Sequence, residues 1–107
     1  MEVTPLVERV RATLAELTPD PVDEKRMFGG VGFMWRGRLL VATHRGDELV
    51  LPIGKDADPG EGLRPMVMGT RVSAGWYFVD ADLVATDAGL ATQLRRALAY
   101  IGGLPPR

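Results

Sequence analysis

The chain has 107 residues, 46% of them apolar, which is enough for one packed core without disulfide or metal support. Thirteen Lys and Arg against fourteen Asp and Glu leave a net charge of −1, so no global field draws the protein to nucleic acid or to an anionic membrane. The lack of cysteine excludes a disulfide framework, a thiolate zinc site and a thiol nucleophile together.

Met1 to Pro5 carry neither the basic nor the apolar region of a signal peptide, and no apolar run approaches the roughly 20 residues of a membrane span. A cytoplasmic protein of one domain, residues 1–107, is expected. Thr4-Pro5 reads as a helix start, because a hydroxyl caps free N–H groups and proline suits the first helical position. Leu6, Val10, Leu14 and Leu17 continue at helical spacing, and Thr18-Pro19-Asp20-Pro21 ends the run, which predicts a helix over 4–17.

From Glu24 to Ile53 the period becomes alternating. Val31, Phe33 and Trp35 share one strand face, Arg36-Gly37 offers a tight turn, and Leu39 to Ala42 form the returning strand. Arg45-Gly46-Asp47 makes a second hairpin loop leading to Glu48–Ile53, where Pro52 suggests a strand end or edge. Residues 54–63 read as a Gly/Pro-rich loop with room for one helical turn. Arg64–Met68 is predicted as an edge segment and Trp76–Val79 as a strand, giving about five in all. Thr86-Asp87 can cap a last helix carrying Leu90, Leu94, Leu98 and Ile101, stopped by Gly102-Gly103 and Pro105-Pro106. The expected fold is α+β, a two-layer sandwich of order α-β-β-β-connector-β-β-α with a mainly antiparallel sheet and helices on one face.

Chemistry is sparse. His44 is the only histidine and Ser73 the only serine, the first at a strand end and the second in a Gly/Ala-flanked loop, with no nucleophile elbow around it. A hydrogen-bonded or exposed strand-end role is the expectation for His44. Asp56 to Glu61 lacks the ligand spacing of a calcium loop and reads as a solvated turn, while Asp80 and Asp82 read as helix caps. Gly29-Gly30-Val31-Gly32 precedes a strand and has no Walker lysine, so close backbone approach explains it better than phosphate binding. No enzyme activity, metal or cofactor is expected.

Charge is uneven along the chain: residues 25–46 contain Lys25, Arg26, Arg36, Arg38 and Arg45 and no Asp or Glu. With Phe28, Phe33 and Trp35 interleaved, this stretch is a candidate for gripping nucleic-acid phosphates, against the simpler expectation that the aromatics face the core. The Met66-Val67-Met68 edge and Trp76 are candidates for docking a protein partner or a second copy.

Lys25-Arg26-Met27-Phe28-Gly29-Gly30-Val31-Gly32-Phe33-Met34, with Arg64-Pro65-Met66, Gly75 to Val79 and Leu104-Pro105-Pro106, resembles the N-terminal domain of the TfoX/Sxy family of competence regulators. The Arg26-Met27-Phe28-Gly29-Gly30 core is the most specific part, and the similarity runs from about Val7 to Pro106. The resemblance implies an α+β fold and a regulatory role, and it brings no catalytic residues. Full-length regulators add a C-terminal helical domain and promote transcription of competence genes with a cyclic-AMP receptor protein. A chain ending at Arg107 is expected to be a stand-alone member, with a connector at 54–63 shorter and richer in Gly and Pro than such domains often carry.

Overall fold

The computed structural model describes residues 4–27, 29–45, 47–68 and 70–105, with Met68 and Arg71 by backbone alone. Phe28, Gly46 and Pro106, to which the sequence assigns a core aromatic, a loop and a helix stop, lie outside the described residues. Helix α1 spans Pro5–Leu17, with the Thr4 hydroxyl accepting from the Val7 N–H at its start. Val7, Val10 and Leu14 are its buried stripe, so the helical period converts directly into core packing.

Six strands follow: β1 (Asp23–Met27), β2 (Gly30–Trp35), β3 (Arg38–His44), β4 (Glu48–Pro52), β5 (Leu63–Met68) and β6 (Arg71–Val79). All pairings are antiparallel, in the spatial order β1-β2-β3-β4-β6-β5. A 3₁₀ turn at Ala81–Val84 leads into helix α2, Asp87–Gly102, where the Thr86 hydroxyl accepts from the Gly89 N–H. The fold is the expected α+β arrangement: helices α1 and α2 pack on each other and share one core with the sheet, built on Phe33, Trp35, Leu49, Leu51, Leu90 and Leu94 among others.

Several local expectations are corrected. The sheet gains a strand, because Asp23-Glu24-Lys25-Arg26-Met27 pairs along its whole length with β2 although four of its five residues are charged. Strand β6 begins at Arg71, which puts Ser73 within a strand and not in a loop. The connector after Ile53 contains turns and no helix among its described residues, so order becomes α, four strands, connector, two strands, α. Helix α2 stops without a left-handed glycine: Gly103 has φ −87°, and its N–H reaches the Ala99 carbonyl at 3.1 Å. Pro52 closes β4, an interior strand, as a strand-end proline should.

Two irregularities set which side chains face the helices. A bulge between β2 and β3 lets Leu40 and Val41, consecutive residues, both enter the core. A second one between Pro65 and Val67 disturbs the pairing of β5 with β6. The β2–β3 turn has Arg36 and Gly37 at φ 53° and 78°, the doubly left-handed geometry that suits two-residue hairpins.

Candidate functional site

Since side chains alternate along a strand, each residue between two core residues points to the opposite face. Val50 lies between Leu49 and Leu51, Met34 between Phe33 and Trp35, and Phe78 between Tyr77 and Val79. Both helices cover the other side. This face is therefore a sheet surface without a second layer among the described residues, and it is apolar: Met27, Met34, Leu39, Trp76 and Phe78 are half-buried there and Val50 is fully shielded by its neighbours.

The glycine-rich motif builds one end of this face. Met27 pairs with Gly30, so Gly29, at φ 70°, lies in the connection between β1 and β2. A Cβ on Gly30 would sit 2.9 Å from the Thr43 carbonyl carbon, and one on Gly32 would sit 2.9 Å from Met27 Cγ. Gly30 thus admits the β3 backbone, while Gly32 makes room for the Met27 side chain to lie across the sheet. Thr43, fully buried, accepts the Val31 N–H at 2.9 Å and ties the hairpin to β3. Met27 consequently belongs to the uncovered face and not to the helix-covered core.

Where β3, β4, β6 and β5 lie side by side, four polar side chains surround Phe78 of β6. Glu48 accepts from His44 Nδ1–H at 3.1 Å and from Arg64 at 3.3 Å, and Arg64 Nε donates to Asp80 at 3.0 Å. The His44 ring lies 5.3 Å from the Phe78 ring and the Arg64 guanidinium 5.5 Å from it. The His44 hydrogen bond, followed by Arg64, holds the Glu48 carboxyl below the usual carboxylate range. The Asp80 and Glu48 carboxylates raise Arg64 above the usual guanidinium range. Asp80 occupies the capping position of the 3₁₀ turn but makes no cap with its side chain, because its carboxylate is taken by Arg64.

The residues singled out by sequence do not gather at one place. Lys25 and Arg26 are consecutive in β1 and point to opposite faces. Arg36 caps the β2–β3 turn, bonded to Asp20 at 2.9 Å and stacked 4.3 Å over Trp35, whereas Arg45 lies at the other end of β3. Arg38 donates to the Pro105 carbonyl. Phe33 and Trp35 are buried, the Trp35 indole N–H donating to Asp20 at 3.1 Å, so neither offers a stacking platform. Trp76 is on the uncovered face as a partner of Pro52. Met66 is buried, while Val67 on the β5 edge is exposed beside Val72. His44 is the hydrogen-bonded strand-end residue expected. Among the described residues no three His, Asp or Glu side chains gather as metal ligands would, and Asp58 accepts the Gly60 N–H in the connector. Sequence reasoning missed Met34, Leu39, Glu48, Arg64 and Phe78; following the outward-facing half of each alternating strand would have found four of them.

Fold and face together define an α+β domain that presents a bare, largely apolar antiparallel sheet. The family model of the TfoX N-terminal domain matches residues 12–101, and the chain belongs to that family. No curated protein and no solved structure gives a significant match to it.

Proposed function

We propose that this chain is a non-catalytic regulatory module of the cytoplasm, which acts by docking a protein on the uncovered sheet face. The observation that carries the reading is the row of half-buried Met27, Met34, Leu39, Trp76 and Phe78 on a face that no described helix covers. A contiguous apolar surface of this kind loses less by being covered than by remaining wet. Methionines among the lining residues suit an adaptable contact, since their side chains repack at low cost. Family membership supports a role of the TfoX type, and regulation of competence genes is its most specific form. The dispersal of Lys25, Arg26, Arg36, Arg38 and Arg45 favours a protein over nucleic acid as the occupant.

No described helix is long and apolar enough to cross a membrane. The test is affinity capture from the source cell with the wild-type chain, a Trp76→Ser/Phe78→Ser variant and an Arg95→Glu control on the exposed side of α2. A partner retained by wild type and control and lost by the double variant is expected. Equal capture by all three would rule the face out.

A further inference from the structure

The sheet ends in two edges of different character. At β5 the edge is blunted, since Pro65 supplies no N–H and the bulge beside it breaks the register. At β1 it is regular: Asp23, Glu24, Lys25, Arg26 and Met27 pair with β2 without a shift and include neither proline nor glycine. Charge usually keeps such edges apart, because a lysine on one copy meets a lysine on the next. Here the order of signs, two acids followed by two bases, reverses on an antiparallel partner.

We propose that β1 pairs antiparallel with β1 of a second copy, joining the two sheets into one across a two-fold axis at Glu24. In that register Asp23 of each copy lies opposite Lys25 of the other on the uncovered face. Both are exposed and neither makes an ion pair with any described residue of its own chain. The two Glu24 side chains meet on the helix side, and each is already neutralised by Arg11, which holds it through two hydrogen bonds of 2.7 and 2.8 Å. Arg26, also exposed and without an ion pair to any described residue, comes opposite Val22 of the partner. Val22 borders a cleft of about 150 Å³ between α1 and β1 that Arg11 also lines. The carboxylates of that cleft are already engaged, Glu24 by Arg11 and Asp20 by Arg36 and the Trp35 indole, so the two Asp23–Lys25 pairs carry the contact. Shifting the pairing by one step in each strand would set Lys25, with no acidic partner among the described residues, against Lys25 and bring Arg26 only to a Glu24 that Arg11 already holds. The Glu24-centred register keeps its one like pair neutralised by Arg11 and so is favoured.

The contact is independent of the apolar face, and the experiment separates the two. Sedimentation equilibrium at low ionic strength should show a dimer that weakens as salt rises. Lys25→Asp sets two carboxylates opposite each other twice over, and about a tenfold rise in the dimer dissociation constant is expected from the pair energies involved. The swap Asp23→Lys/Lys25→Asp restores opposite signs and should return the constant close to wild type. Since the chain has no cysteine, Glu24→Cys provides a register test, its thiols oxidising to a cross-linked dimer. Circular dichroism on each variant confirms folding. A chain that stays monomeric at low salt overturns the proposal, as does a dimer indifferent to both charge variants. A dimer abolished by Trp76→Ser/Phe78→Ser and untouched at β1 places self-association on the open face, and the edge pairing is then wrong.

Discussion

Gly30 shows how a single residue identity can be fixed by a neighbour on the adjacent strand, Thr43 of β3. Its Cβ would be driven into the backbone of Thr43, which cannot retreat because its own hydroxyl holds Val31 and its strand is locked between β2 and β4. Gly30→Ala should therefore destabilise the fold by about 1–3 kcal/mol through overpacking. Gly37→Ala meets open space and pays only for φ 78°, about 1 kcal/mol. Urea denaturation of the two variants should rank Gly30→Ala as the costlier, and the reverse order would refute the close-approach account. That the glycines serve backbone geometry was readable from the sequence, because they precede a strand and lack any phosphate-binding partner. Which strand they approach was not, since Thr43 carries no local signal of its own.

At the scale of elements, the helices were the legible part. Their stripes repeat every three to four residues, and both start at threonines whose hydroxyls accept an N–H three residues on. Strand β1 was hidden because Asp23 to Arg26 offer no apolar alternation; at a sheet edge, pairing with β2 and the Arg11–Glu24 contact supply what a buried face supplies elsewhere. The bulge at Leu40 was hidden for a related reason, as a run of apolar residues has no period to break. The caps give a clean test. Thr86→Ala removes the acceptor for Gly89 N–H and should cost about 1 kcal/mol, lowering Tm by roughly 4–8 °C. Asp87→Asn at the next position should change little, because its contact with Arg9 is 3.5 Å long and its side chain is 95% exposed. Thermal unfolding followed by circular dichroism distinguishes the two.

For the whole molecule, the candidate face was only half legible: Trp76 was named, but the face exists only once β4 is known to sit beside β6 rather than β5, which no local pattern encodes. Contacts between elements distant in sequence or adjacent in the sheet likewise assemble the carboxylates that couple stability to acid, Glu24 with Arg11 of α1 and Glu48 with His44 of β3. Glu24, held down first by its hydrogen bonds from Arg11, and Glu48, held down first by His44, both have folded pKa values below the ordinary 4.5. A depressed carboxyl binds its proton more weakly in the folded chain, so the stabilisation is present above the unfolded value and is lost as pH falls through the folded one. Glu48 is over a third exposed and its share is correspondingly screened, whereas Glu24 is better covered at 21%. Each pair contributes about 0.2–1 kcal/mol, with Glu24 at the upper end. Between pH 7 and pH 5 the unfolding midpoint should hold steady with respect to these groups, and below about pH 4.5 it should fall. Glu24→Gln should lower stability at pH 7 and reduce the fall below pH 4.5, so that the variant and wild-type curves converge in acid. Curves that stay parallel down to pH 3 would mean that the Arg11–Glu24 contact joining α1 to the sheet edge contributes nothing through its charge.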